Sequence, residues 1–457
     1  MLHPKLQPIL DKEIQRQLET LDLIPSENFT SRAVREAVGS VFMHKYSEGY
    51  PGARYYEGNE FIDELELLTI DMVKKVFTLP IDWSANVQPL AGSNANLGVY
   101  NALLNPGDKI LSMYLPDGGH LSHGWSYTAT KDRTEEDMKD MQSETAYRGG
   151  KTKVSIVSKI YNVTQYKVNK ETNLFDYDAI EKLALEIKPK LIVTGGTAYT
   201  REIDYKRMKS IAEKIGAYYM ADVAHEAGLI AAGVLTTPIG IADVVTFTTH
   251  KTLRGPKGAV IVAKNEIINV INKAIMPGMQ GGPHNGTIAG ICQALFEADT
   301  PEFKEYAGQI VKNAKALEVE LKKLGFNLVS GGTDKHLLLI DLRNKNISGK
   351  DAAKTLAKTG IISNMNTIPY ESGSPLNPSG LRIGTPTLTT RGMKEAQMKE
   401  VANLINEVLL SVDDNMKKLS FEEFNSILNS LSDDKNSIIY QVRLKVSELC
   451  KKYPLTI

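Results

Sequence analysis

The chain has 457 residues, 42% apolar and 24% charged, a composition typical of a globular protein too long for one ordinary core. Lys plus Arg and Asp plus Glu both number 54, so the formal net charge is zero and points to no nucleic-acid or anionic-membrane surface. No apolar run reaches about 18 residues, so no membrane span is expected. Only Cys292 and Cys450 occur, which argues against a disulfide framework and for a reducing compartment such as the cytoplasm. Residues 1–19 mix acidic side chains with leucines and lack an apolar core, so no leader is expected. The histidines form no HExxH pattern and CxxC is absent, so no metal is expected.

In chain order, residues 1–30 read as an N-terminal arm, 31–296 as a large domain and 297–457 as a smaller one with a helical tail. Pro89-Leu-Ala-Gly-Ser-Asn-Ala-Asn-Leu97 passes from a turn to small residues and then to a helical pattern. Gly92, Ser93 and Asn94 would offer backbone N–H groups and a hydroxyl to an anion there, although Gly-Ser also begins many ordinary helices. Residues 130–151 are densely charged and read as a solvated excursion. Residues 190–194 form a buried-strand pattern, and 205–215 a helix with Met208, Ile211, Ala212 and Ile215 on one face. Strand patterns recur at 217–222, 242–248 and 258–263, an alternation that predicts an α/β domain with a mainly parallel sheet. Beyond residue 296 a charged helix (302–324), short strands (327–329, 336–341) and helices at 349–358 and 393–410 predict a smaller α+β domain. Residues 421–452 read as an amphipathic helical tail.

Two strand ends carry the chemistry. Thr248-Thr-His-Lys-Thr-Leu-Arg-Gly-Pro-Lys-Gly258 follows one apolar strand and precedes another, so Lys251 sits where α/β ligand sites lie. The segment could be a surface turn, since Gly-Pro turns chains. It is not a Walker loop, because the lysine precedes the glycines. Lys251, with His250, Arg254 and Lys257 near in sequence, suits an imine-forming amine. Asp222-Val-Ala-His225 ends another strand, 29 residues before Lys251. Asp222 and His225 could be a helix cap and a buried histidine. Paired with a strand-end lysine, the acid could instead hold a pyridine nitrogen protonated, with His225 orienting the acid or bonding the ring oxygen.

With these segments the chain resembles the serine hydroxymethyltransferase family over roughly residues 20–410. The likeness rests on Leu23-Ile-Pro-Ser-Glu-Asn-Phe-Thr-Ser31, Lys45-Tyr-Ser-Glu-Gly-Tyr-Pro-Gly-Ala-Arg-Tyr-Tyr56, Gly118-Gly-His-Leu-Ser-His-Gly124, Asp222-Val-Ala-His225, Thr249-His-Lys251, Met279-Gln-Gly-Gly-Pro283 and Leu381-Arg-Ile-Gly-Thr-Pro386. The resemblance implies the pyridoxal 5′-phosphate (PLP) fold type I, with a seven-stranded sheet in the large domain. It also implies transfer of the serine hydroxymethyl carbon to tetrahydrofolate or a modified tetrahydropterin, leaving glycine.

It further implies site residues. Lys251 would form the imine, Asp222 pair with the pyridinium and His120 stack on the ring, with Thr197 and His225 at the ring oxygen. Gly92, Ser93, Asn94 and His250 would hold the phosphate, joined in a homodimer by Tyr46, Gly281 and Gly282 of the other subunit; a tetramer is also open. Arg382 and Ser26 would take the substrate carboxylate. Glu48, Tyr55 and Tyr56 would lie at the reacting carbons, with Glu48 as proton carrier, and Leu115, Gly118, Gly119, Leu121 and Asn366 at the pterin. The Tyr46–Tyr56 stretch could also be plain interface. Rivals are a pterin-independent β-hydroxy amino acid aldolase, an α-methylserine enzyme and a non-catalytic scaffold. Two features depart from the family pattern: the charged stretch 130–151, and Glu226 where an apolar residue is usual.

Overall fold

The computed structural model describes residues 2–371, 374 and 376–456. It comprises two compact units, Thr30–Ala307, and Met1–Phe29 together with Gly308–Ile457.

The unit Thr30–Ala307 is built on an eight-stranded sheet. Its strands are β1 (Trp83–Asn86), β2 (Lys109–Met113), β3 (Ala146–Tyr147), β4 (Asn162–Tyr166), β5 (Leu191–Thr194), β6 (Tyr218–Asp222), β7 (Val244–Thr248) and β8 (Ala259–Lys264), in the spatial order β1-β8-β7-β6-β5-β2-β4-β3. The five central strands β7, β6, β5, β2 and β4 are parallel, and β8, β1 and β3 join antiparallel. β7 is buried throughout and β8 up to its last residue, the mark of strands covered on both faces. One face packs Ala95, Val99 and Tyr100 of the helix Gly92–Leu103 with Val193, Met220, Val244 and Ile261. The helix Tyr205–Ile215 has the predicted limits because Asp204 accepts the Arg207 N–H at its start and Gly216 ends it in a left-handed turn.

The sequence reading differs from the structure at the excursion. Residues 130–151 are not merely solvated: Thr134 and Asp137 form a capping box for the helix Glu135–Gln142, and Ala146–Tyr147 pairs with β4 as the eighth strand. An apolar dipeptide in a charged stretch is too short to show alternation, so this edge strand left no periodic signal. Glu226, the other departure from the family pattern, is buried at the start of the helix Ala227–Ala231, where its charge pushes up the Tyr205 phenol, already raised mainly by burial.

The other unit centres on an antiparallel sheet of β9 (Asn327–Leu328), β10 (Leu337–Asp341), β11 (Asn364–Asn366) and β12 (Gly380–Gly384), in the order β9-β10-β12-β11. The arm belongs here: after the helix Gln7–Glu19, Leu21–Asp22 pairs with Ile361–Ile362. The buried Arg391 guanidinium donates to the carbonyls of Gln17, Leu18, Thr20 and Tyr453, satisfying the end of that helix. The helical tail consists of two helices, Phe421–Asp433 and Ile438–Lys452. Asp434 accepts the Asn436 N–H and Ser437 caps the second helix, so cap chemistry interrupts the amphipathic pattern. Among the described residues, no helix is long and apolar enough to cross a membrane.

Candidate active site

β6 and β7 are parallel neighbours with Asp222 opposite Thr246, so the loops that follow leave the sheet at the same edge. Asp222 ends β6, and Lys251 lies three residues beyond β7, only 8% exposed. The two loops are stitched together. Gly228 N–H donates to Thr252 Oγ1 (3.0 Å), Thr252 Oγ1 to the His225 carbonyl (2.8 Å) and Thr248 Oγ1 to the Ala224 carbonyl (3.1 Å). A Cβ at Gly228 would stand 2.3 Å from the Thr252 backbone, so glycine alone fits that approach.

The Asp222 carboxylate accepts from Asn96 Nδ2 (2.8 Å), His123 Nε2 (2.9 Å) and the Ala224 N–H (3.0 Å). Burial alone would raise its pKa, but these donors, His123 foremost, hold it well below the usual carboxylate range. A buried, ionised acid at a strand end can hold a cationic ring nitrogen.

The helix Gly92–Leu103 starts against the end of β7; a Cβ at Gly92 would fall 2.6 Å from Thr248 Cγ2. No side chain caps it, leaving the N–H groups of Gly92, Ser93 and Asn94 available to an anion. His250 lies one residue from Lys251, its Nδ1 buried without a hydrogen-bond partner. Burial, then the charges of Lys251 and Lys257, lower its pKa to about 4.

His120 Nδ1 meets Ser122 Oγ at 2.6 Å, and Thr197 donates from its N–H to the Gly118 carbonyl (2.7 Å) and from Oγ1 to the Gly119 carbonyl (3.0 Å). Gly118 has φ +118°, and a Cβ on it would press within 2.8 Å of Tyr199 N. Leu115 starts the same loop, and Leu121 is exposed on it.

A second cluster in this unit joins Tyr46, Glu48, Tyr55, Tyr56, Gly281 and Gly282. Tyr46 OH donates to Glu48 Oε1 (3.1 Å), the Tyr46 and Tyr56 rings meet edge-on at 5.1 Å, and Tyr55 N–H donates to the Glu48 carbonyl. Gly281 approaches the Glu48 carboxylate, and Gly282 the Tyr46 ring. Tyr46, Tyr55 and Tyr56 are 54%, 71% and 47% exposed. Arg54 anchors this hairpin, binding Asp63 and Glu66 and donating to the Ser47 and Gly49 carbonyls.

In the other unit Arg382 sits on β12 opposite Leu339 and Asn364. It is 9% exposed and donates from Nε to Asn364 Oδ1 (3.1 Å), and burial lowers its pKa to about 10. Gly384 N–H donates to the Leu23 carbonyl, and a Cβ on Gly384 would meet Pro25 at 2.6 Å, which places the Ser26 turn beside the strand of Arg382. Asn366 is on β11, two residues from Asn364.

A model of the serine hydroxymethyltransferase family matches residues 1–405. The chain belongs to that family. As a serine hydroxymethyltransferase it has the α/β fold of PLP fold type I, and moves the hydroxymethyl carbon of serine with PLP and a tetrahydrofolate-type co-substrate. The chain also carries four polar residues around the candidate site that the sequence reading did not single out: Asn96, Ser122, His123 and Thr246, all buried and hydrogen-bonded around Asp222 and His120. His123 lay in a quoted motif, but nothing in the sequence said which of the motif's two histidines faces the acid.

Proposed function

We propose that PLP is held by Lys251, Asp222, His120, Thr197, His225, His250 and the helix start at Gly92, Ser93 and Asn94. The observation that carries this reading is the ionised, triply hydrogen-bonded Asp222 in a loop laced to that of Lys251. The orphaned His250 Nδ1 and the uncapped helix start fit a phosphate. Bound there, PLP supplies an electron sink for the substrate's α-carbon.

The protein's own groups do the rest. Arg382 and Ser26 fix the substrate carboxylate, a planar fork meeting a planar anion. Glu48 moves the proton to or from the hydroxymethyl oxygen or the carrier nitrogen. Tyr55, Tyr56, Leu115, Gly118, Gly119, Leu121 and Asn366 flank the pterin. The exposure of Tyr46, Tyr55 and Tyr56 beside Gly281 and Gly282 supports a homodimer in which this cluster serves the other subunit's cofactor. A cytoplasmic location fits the buried, unpaired Cys292 and Cys450.

The test offers serine with tetrahydrofolate, with tetrahydromethanopterin and without carrier. Carrier-dependent glycine formation supports the reading, and equal rates without carrier would favour the aldolase. Glu48→Gln is expected to bind serine and lose transfer.

A further inference from the structure

Asn96 lies one turn into the helix Gly92–Leu103 and is 1% exposed. Its side chain makes three hydrogen bonds: Nδ2 to Asp222 Oδ2 (2.8 Å), Nδ2 to Ser122 Oγ (2.8 Å), and Oδ1 from Thr246 Oγ1 (2.7 Å). Their direction is fixed by chemistry. An ionised Asp222 can only accept, so the edge of Asn96 facing it is the amine, and the oxygen faces Thr246. Ser122 Oγ takes the other N–H and therefore offers its own proton to His120 Nδ1 (2.6 Å). The Ser122 backbone N–H also points at that nitrogen (3.1 Å), so Nδ1 is an acceptor and the His120 proton sits on Nε2.

We propose that Asn96 is a positioning residue that ties the acid under the cofactor's ring nitrogen to the histidine over the ring face. Its amine holds Asp222 ionised and aimed, and through Ser122 fixes the tautomer and tilt of His120. Thr246, opposite Asp222 on the neighbouring strand, holds the amide in that orientation. His123 supports Asp222 from another side. Asn96 reaches the acid directly and, through Ser122, the ring nitrogen of His120, whereas His123 meets the acid with its ring and His120 only through its backbone N–H. The inference rests on the assignment of Asp222 to the ring nitrogen.

The test reconstitutes the enzyme with PLP labelled with nitrogen-15 in the ring and reads that nitrogen's chemical shift at neutral pH, together with the PLP dissociation constant. The wild type is expected to show a protonated ring nitrogen. Asn96→Leu should move the shift toward the unprotonated range and weaken PLP by about tenfold or more. Thr246→Val, nearly isosteric, should move both in the same direction by less, and it decides the matter if Asn96→Leu does not fold. A protonated ring nitrogen and an affinity within about twofold of wild type in the variants that fold would overturn the inference and leave the cofactor reading standing. An unprotonated ring nitrogen in the wild type would overturn the assignment of Asp222, and the inference with it.

Discussion

Thr252 Oγ1 accepts the Gly228 N–H at 3.0 Å and donates to the His225 carbonyl at 2.8 Å, so one buried hydroxyl joins the loop of Asp222 to the loop of Lys251. Thr252→Val keeps the volume but strands a buried N–H. It is expected to cost about 1–3 kcal/mol of stability in urea unfolding and to lower kcat about tenfold through misplacement of the amine. A variant with unchanged kcat would show that the amine is positioned by other contacts.

Arg382 offers a cleaner separation of binding from cofactor retention. It is buried, and burial has lowered its pKa to about 10, so an incoming carboxylate would meet a poorly solvated cation. Arg382→Ala should raise the serine KM about 100-fold, with PLP binding unchanged. An unaltered KM would remove Arg382 from the carboxylate site.

Two buried groups give opposite pH signatures in the cofactor-free protein. The folded pKa of His250 is lowered to about 4, so the folded state binds fewer protons than the unfolded chain between about 4 and 6.5. Its contribution is present above pH 6.5 and lost as pH falls toward 4, on the order of 3 kcal/mol. Burial raises Asp117 to about 7, the reverse case: its contribution is present at low pH and lost as pH rises through 7. Relative to wild type, His250→Asn should therefore fare best at pH 5 and Asp117→Asn best at pH 8. Urea midpoints across that range check both signs.

Arg54 is a nearly buried cation held between Asp63 and Glu66 beneath the hairpin of Glu48 and Tyr56. Arg54→Ala strands the buried Glu66 carboxylate, whose pKa burial already raises, and should cost about 3–5 kcal/mol in urea unfolding. A loss below about 1 kcal/mol would mean that the pair is worth no more than an exposed one.

The parts of this fold legible in the sequence were those with period and caps. The helices Tyr205–Ile215 and Gly349–Lys358 have the predicted limits because apolar spacing and capping residues agree there. The strand Ala146–Tyr147 and the break before Ser437 were not legible, one being too short for alternation and the other set by local side-chain bonds. At the site, the strand-end lysine and acid stood out by position. Asn96 and Thr246 did not, because a polar residue inside an apolar helix or strand gains meaning only when a partner 126 or 150 residues away is in place.

The central claim is that the amine of Lys251 carries the cofactor. Borohydride treatment of the PLP-loaded enzyme, followed by proteolysis and mass mapping, tests it most directly. The account predicts a pyridoxyl group on the peptide containing Lys251 and none in Lys251→Ala. A label on another lysine, or one that persists in that variant, would contradict it.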